Sequence, residues 1–443
     1  MPFQYGPGVE LSSFRHLLNL AWKGLRPQHL KPLCIILRNN ATQLKSLELD
    51  FLSLIDIFSN NQDGQDDSNS GTSGDASDGE VGKSLTGVKK SSFFASIILD
   101  VDSKSPSLLF PNIRVLSLSQ VPLTRSLASV FNFDTLVSLK LRLCSCWDVF
   151  IRRVLKLNRP IKLKTLEIQD SDAVSDDLGH EVILDFVNAF AGLEELFVCH
   201  PGPISALELW EIIASRHTTL KRLACHQTTV GRNLESPAFS QVCDLADLGI
   251  CGRDMRRIKK DPSKNPLSEL DLEFIGLACI PERMKYLLLP FASKTSLKAI
   301  HIRHTMSDIW KRGSWALGGG RIPMKSRATS NASSDSDLSI TEELLLGFDQ
   351  DELEWHNPRL RSGFRHFAEW AFGPEGISSL DIIAYGDFAY GGRRVDGNVL
   401  LGRQTGGTSH FRVLNEKAGE WKDALDKYHV AMGTCPAEHL FHS

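Results

Sequence analysis

Several short residue combinations in this chain contain side-chain types that bind phosphate groups or perform nucleophilic chemistry. Gly82-Lys83-Ser84 matches the end of a phosphate-binding loop, but Ser77 stands where that loop needs its first glycine, and no apolar strand leads into it. The sequence contains no Gly-x-Ser-x-Gly elbow, and no Gly-x-Gly-x-x-Gly follows a strand-like run. We therefore expect no catalytic residues, no enzyme activity and no cofactor.

Four other combinations contain metal-ligand residue types. They are Cys144-x-Cys146, Cys199-His200, Cys225-His226 and His301-x-x-His304. None has a second half at the spacing that zinc sites need, so we predict no metal site. The position of Cys144, three residues after the last apolar residue of a strand-like triplet, is one where leucine-rich repeats commonly have Asn or Cys.

The elements that position these residues repeat along the chain. Ten segments have the form apolar-x-x-apolar-x-apolar, and they are Leu44-Leu47-Leu49, Ile113-Leu116-Leu118, Leu136-Leu139-Leu141, Leu163-Leu166-Ile168, Leu193-Leu196-Val198, Leu220-Leu223-Cys225, Leu245-Leu248-Ile250, Leu267-Leu270-Leu272, Leu297-Ile300-Ile302 and Ile377-Leu380-Ile382. The gaps between their first residues are 69, 23, 27, 30, 27, 25, 22, 30 and 80. Seven of these nine gaps lie within, or one residue outside, the repeat length of about 20 to 29 residues that is typical of leucine-rich repeats.

This spacing predicts an α/β leucine-rich-repeat solenoid with capping segments at both ends. Its strands form a curved parallel sheet on the concave side, and its helices cover the convex side. Helical return legs are expected from Ile183, Phe186, Val187 and Phe190, and from Leu207, Leu209, Ile212 and Ile213, since these residues have helix-like separations before the next triplet. A stack of repeats exposes a long surface rather than one deep pocket, which favours binding over catalysis.

The pattern also divides the chain into segments. We predict a helical N-terminal cap at 1–43, the repeats at 44–310 with a disordered insertion at 59–92, a disordered loop at 313–345, and the last repeat with a C-terminal cap at 346–443. Residues 59–80 contain six acidic and no basic side chains, so they cannot bury enough apolar surface to become ordered. Helical separations in the N-terminal cap connect Leu11, Phe14, Leu17 and Leu18, and also Leu30, Leu33, Ile36 and Leu37.

Composition narrows the choice of partner and compartment. The formal net charge is -3, and no run of about 18 apolar residues occurs, so we expect neither nucleic acid nor membrane as a partner. The nine cysteines lie mostly inside strand-like runs, which is typical of reduced thiols. We expect a cytoplasmic or nuclear protein.

Side chains at alternate strand positions should project from the concave wall, where a protein partner would dock. The predicted partner-binding residues are Lys140, Arg142, Glu195, Phe197, Arg222, His226, Asp271, Glu273, His301 and Arg303. A structural alternative is that the acids Glu269, Asp271 and Glu273 only pair across strands with His301 and Arg303.

The C-terminal part resembles a known family. The run 367–393, then 398–403, Phe411-Arg412, Trp421 and Cys435-Pro436, is similar to the C-terminal region of filamentous-fungal F-box and leucine-rich-repeat proteins, and 44–51 fits their first repeat. Within this block Gly386, Gly391 and Gly392 should allow turns with positive φ. We expect the block to seal the last repeat, with a ligand site as the alternative.

The resemblance implies a substrate receptor of a cullin-RING ubiquitin ligase, in which an F-box grips the adaptor and the repeats hold the target. This chain has no Leu-Pro-x-Glu-Leu opening, so either an F-box lies upstream of Met1, which would add a cullin-RING adaptor as partner, or this relative lacks one. The predicted function is a non-enzymatic protein-interaction scaffold, and the resemblance implies that it is the target-recognition part of such a receptor. The alternatives are a stand-alone assembly factor without a ligase role and a hydrolase with 313–345 as a lid.

Overall fold

The fold comes from a computed structural model of the chain. The structure describes residues 14–25, 29–51, 93–101, 107–170, 178–200, 206–227, 252–304, 314, 316–317, 360–388, 398–404, 406, 409–415, 417 and 419–436. Among these residues, every helix is too short or too polar to cross a bilayer.

Twelve strands form one open sheet, and their order in the sheet is their order in the chain. They are β1 (Asn19–Trp22), β2 (Ser46–Asp50), β3 (Val115–Ser119), β4 (Ser138–Arg142), β5 (Thr165–Gln169), β6 (Glu195–His200), β7 (Arg222–Gln227), β8 (Phe274–Leu277), β9 (Ala299–Arg303), β10 (Ile382–Gly386), β11 (Val399–Arg403) and β12 (Phe411–Val413). Neighbours from β1 to β10 are parallel, whereas β10, β11 and β12 pair antiparallel. The predicted α/β class with a largely parallel sheet is confirmed.

The apolar triplets set the pairing register. The middle residue of one triplet lies opposite the middle residue of the next, as in Leu139 opposite Leu166 and Leu196 opposite Leu223. Because side chains alternate along a strand, this register places the second and third residues of these paired triplets, such as Leu166 and Ile168, on the same face of the sheet. The result is a set of continuous apolar rows.

Eight helices accompany the strands. They are α1 (Leu30–Asn40), α2 (Trp147–Lys156), α3 (Leu178–Asn188), α4 (Ala206–Arg216), α5 (Gly252–Lys260), α6 (Pro281–Leu288), α7 (Ser362–Phe372) and α8 (Gly419–Met432) among the residues that the structure describes. Helices α1 to α7 pack their apolar stripes against the triplet leucines to form the main core. The helical legs predicted before Leu193 and Leu220 are confirmed as α3 and α4.

The other side of the sheet, called the opposite face below, has a second and smaller core. There α8 packs through Trp421, Tyr428, Ala431 and Met432 against strand residues that include Phe197 and Phe274. Within the described ranges, the sheet therefore lies between seven helices on one side and a single helix on the other.

Two predicted repeat frames were wrong. In β8 the residue opposite Leu223 is Ile275, so the repeat there is Leu272-x-x-Ile275-x-Leu277 rather than one beginning at Leu267. In β10 the residue opposite Ile300 is Ile383, so that repeat begins at Leu380 rather than at Ile377. Both regions contain apolar residues in two overlapping frames, and pairing with the neighbouring strand selects one.

Other segment predictions had mixed outcomes. The N-terminal cap at 1–43 is not purely helical, because β1 adds a strand at Asn19–Trp22; its side chains Leu20 and Trp22 pack against the main core. The helix predicted around Leu33 is confirmed as α1. The insertion at 59–92 and the Leu245 triplet lie outside the described residues, as does most of 313–345. Strands β7 and β8 are direct hydrogen-bonded neighbours.

Candidate docking face and the segment that covers it

The opposite face is formed by the strand residues that alternate with the triplet residues, and it has a polar half and an apolar half. The polar half comprises Glu48, Asp50, Ser117, Ser119, Lys140, Arg142, Glu167 and Gln169 of β2 to β5. The apolar half comprises Phe197, Cys199, Ala224, Phe274, Ala299, Ile382, Ala384 and Leu400 of β6 to β11. The two halves meet between β5 and β6.

Eight of the ten predicted partner-binding residues lie on strands at this face. They are Lys140 and Arg142 of β4, Glu195 and Phe197 of β6, Arg222 and His226 of β7, and His301 and Arg303 of β9. Asp271 and Glu273 are corrections, because they precede β8, whose opposite-face positions are Phe274 and Gly276. The frame shift at Leu272 explains the difference.

The covering segment (419–436) lies over the apolar half of the face. Its helix α8 is held at one point by Asp381, whose Oδ2 accepts hydrogen bonds from Lys427 Nζ at 2.7 Å and Tyr428 Oη at 3.0 Å. The interactions of Lys427 with the Asp381 carboxylate, first, and with the Tyr428 hydroxyl raise the pKa of its ammonium, so it stays charged. Phe197, His301 and Arg303 are consequently buried by the protein's own chain.

The turn 434–436 continues from α8 and ends at the border between the two halves. Arg303 Nη2 donates to the carbonyl oxygens of Thr434 at 2.6 Å and Cys435 at 3.2 Å. Glu167 Oε1 accepts the Cys435 N–H at 2.9 Å, and Gln169 Nε2 donates to the Pro436 carbonyl oxygen. Three sheet side chains thus bind main-chain groups of the turn.

Glu167 is the best-organised charge of the face. It is 0% exposed, and its two carboxylate oxygens accept Arg142 Nε at 2.7 Å and Nη2 at 2.9 Å. A buried carboxylate is tolerated only when it is paired and hydrogen-bonded, which this fork and the Cys435 N–H provide. Glu195 and Arg222 form a second cross-strand ion pair, nearer to solvent. Ion pairs across strands therefore occur on this face. The predicted pairing of the acids near Asp271 with Arg303 is not among them in the described part of the chain, since Arg303 contacts the turn instead.

Buried histidines border the same region. His301 Nε2 lies 2.9 Å from the Gly386 carbonyl oxygen, and its ring meets Phe388 edge-on at 5.4 Å. Burial lowers the pKa of His301 well below its usual value, and the nearby Arg303 cation lowers it further. His301 is therefore neutral at physiological pH.

The side chains of His304, Tyr385 and Ser314 form one hydrogen-bonded group that contains the groups of a nucleophile and a base. Tyr385 Oη lies 2.6 Å from His304 Nδ1 and 2.9 Å from Ser314 Oγ. The Ser314 hydroxyl also accepts the N–H groups of Ala316 and Leu317, so it closes a turn. All three side chains are buried, and they stabilise the approach to β10.

Two of the cysteines considered as metal ligands, Cys144 and Cys225, have thiols whose pKa is raised by burial. Cys144 Sγ donates to the Leu118 carbonyl oxygen at 3.3 Å, and burial raises the pKa of its thiol to about 12. Burial likewise raises the pKa of Cys225 and Cys279 to about 12. Within the described part of the chain, no three His, Cys, Asp or Glu side chains form a group that could hold a metal ion.

Comparisons of the chain with protein-family models, curated proteins and solved structures gave no significant match. The relationship to F-box and leucine-rich-repeat proteins stays a prediction. The geometry above therefore provides the evidence about the site.

The covering segment was missed by reasoning from the sequence. The C-terminal block was expected to seal the last repeat, whereas α8 reaches back across β6 to β10. A signal existed: Trp421, Leu425, Tyr428 and Met432 recur at helical spacing, which indicates one apolar stripe that must be covered. The stripe itself does not specify which surface covers it.

Proposed function

We propose that this chain is a leucine-rich-repeat solenoid that acts as a non-enzymatic protein-interaction scaffold. Strands β1 to β10 are its inner wall, and its docking surface is formed by the partly exposed side chains of the polar half, which are Glu48, Asp50, Lys140 and Arg142. Matching strand order and register across ten strands support the architecture. The order follows from consecutive repeats, each covering its neighbour's apolar row.

The observation that carries the docking proposal is the position of Lys140. It lies in the row between Ser117 and Glu167, on a face whose other charges pair within the chain, as in Lys23 with Glu48 and Arg142 with Glu167. Among the residues that the structure describes, no carboxylate forms an ion pair with Lys140. A partner that places an acidic group here gains a charge-assisted contact without breaking an existing one.

The resemblance of 367–393 to F-box proteins extends the proposal to a ligase receptor, in which the docking surface holds a protein destined for ubiquitylation. The single candidate partner class is thus a folded protein with an acidic patch. A stand-alone assembly factor would use the same surface without changing the abundance of its partner.

Charge reversal of Lys140 tests this proposal. Lys140→Glu should abolish recovery of the specific partner in affinity purification, whereas Lys156→Glu, an exposed position on α2, should leave recovery as in the wild type. Lys156→Glu should melt like the wild type, since exposed charge changes alter stability little. Lys140 is only partly exposed and lies opposite Glu167, so Lys140→Ala, which adds no like charge there, is the matched variant for folding and should lose the partner as well. Equal recovery from all four proteins would contradict the docking proposal.

Partner abundance separates the two roles. If the protein is a ligase receptor, deletion of its gene raises the level of the partner that Lys140→Glu loses, and an N-terminally extended version binds a cullin adaptor. An unchanged partner level with intact binding would instead identify an assembly factor.

A further inference from the structure

We propose that Glu167, Gln169 and Arg303 form a binding site for a short peptide turn, and that residues 434–436 occupy this site in cis. The proposal deepens the scaffold function and rests on it, because it names a second contact between this face and a partner protein. The ligand class is a peptide that presents a left-handed residue followed by proline.

The first argument is that the sheet recognises main-chain groups. Arg303 binds the carbonyl oxygens of Thr434 and Cys435, Glu167 binds the Cys435 N–H that lies between them, and Gln169 binds the carbonyl oxygen of Pro436. Main-chain groups are common to all peptides, so these contacts accept any segment that adopts the same turn. The side-chain contact is longer: the Thr434 hydroxyl accepts from Arg303 Nη1 at 3.5 Å, and it donates to the Ala431 carbonyl oxygen within its own segment at 2.8 Å.

The second argument is that the site is built from charges that need such a ligand. Glu167 is fully buried, and Arg303 is 5% exposed. Two side chains of this kind are costly to bury unless polar groups of a ligand complete their hydrogen bonds. An apolar segment in the same place could not replace the four main-chain groups of the turn.

The third argument is that the chain's own segment is a strained ligand. Cys435 has a φ of 48°, in the left-handed region that favours glycine, and it precedes Pro436. A cysteine there costs more than a glycine would, because its Cβ crowds the following carbonyl. A partner segment of the type Thr-Gly-Pro would therefore fit the site better than Thr434-Cys435-Pro436 does.

Peptide binding to the full chain tests the proposal. The probe is a fluorescein-labelled peptide with the sequence of residues 431–440 that contains Cys435→Gly, and binding is followed by fluorescence anisotropy. The full chain with Cys435→Pro releases its own turn, because proline cannot adopt positive φ and has no N–H for Glu167, while all three site residues stay intact. It should bind the probe at least tenfold more tightly than the wild type, whose tethered turn competes at an effective concentration on the order of millimolar.

Matched peptides provide the control. A peptide with Cys435→Pro should not bind, and the unsubstituted peptide should bind about fivefold more weakly than the probe. Adding Glu167→Gln to the Cys435→Pro chain should weaken binding of the probe. Equal binding of all three peptides, or no binding of the probe to a folded Cys435→Pro chain, would overturn the proposal.

A second measurement uses the wild-type chain and does not depend on that variant. Cys435 is buried, so its reaction with N-ethylmaleimide, measured by mass spectrometry of the C-terminal fragment, should be slow. Excess probe peptide should accelerate this reaction by displacing the turn, while the Cys435→Pro peptide should not. An unchanged rate would count against the site. Both measurements use purified protein and peptide, so their failure would leave the role of Lys140 in partner capture unaffected.

Discussion

Acidification should destabilise this protein through His217, a fully buried side chain between α4 and β7. Its Nδ1 accepts the Leu193 N–H at 3.1 Å, and its Nε2 lies 2.9 Å from the Val187 carbonyl oxygen. Only the neutral ring can accept at Nδ1 and donate at Nε2 together. Burial lowers the pKa of His217, so the folded protein keeps this neutral form.

The direction of the effect follows from proton linkage. The folded state binds this proton less readily than the unfolded chain, whose histidine pKa is about 6.5. The stabilisation is therefore complete above that value and decreases as the pH falls through it. If the histidine stays neutral in the folded state, the free energy of unfolding falls by up to about 1.4 kcal/mol as the pH is lowered from about 7.5 to about 5.5. His301 should act in the same direction, because its pKa is also lowered.

Urea unfolding at the two pH values measures this effect. His217→Gln supplies an amide oxygen for Leu193 and an amide N–H for Val187 but cannot titrate. The difference in unfolding free energy between the two pH values should therefore shrink by up to about 1.4 kcal/mol in His217→Gln. His366→Gln, an exposed position on α7, should keep the wild-type difference. If His217→Gln and the wild type lose the same stability on acidification, the neutral-ring argument is wrong.

Two further predictions concern the sheet. Leu223→Ala should lower the unfolding free energy by about 2 to 5 kcal/mol, because it removes a fully buried side chain of β7 from the core. Arg222→Ala should lower it by less than about 1 kcal/mol. Similar losses for the two variants in urea unfolding would contradict the assignment of their side chains to opposite faces of the sheet. Gly386→Ala should reduce the melting temperature, since Gly386 has a φ of 116° and an added Cβ would lie 2.2 Å from Asn398 Oδ1. A wild-type melting temperature for Gly386→Ala would refute that strain. Gly386→Ala should lower the melting temperature in an Asn398→Ala background as well, because the positive φ persists there.

The positive φ expected at Gly386 is confirmed, and the same expectation for Gly391 and Gly392 lies outside the described residues. Local chemistry was sufficient for Gly386, since a glycine after an apolar strand indicates a tight turn. Cys435 and its positive φ could not be predicted in this way, because the contacts that hold the turn there come from residues far away in the sequence, such as Glu167 and Arg303.

The sequence by itself determined the parallel order of strands such as β4, β5 and β6, because each triplet specifies one strand and its buried face, and consecutive repeats stack side by side. It could not choose the frame at Leu272 or Leu380, where two apolar frames overlap. It also could not place α8 on Phe197, more than two hundred residues away. Those outcomes depend on which surfaces meet in three dimensions, and no local period encodes such long-range contacts.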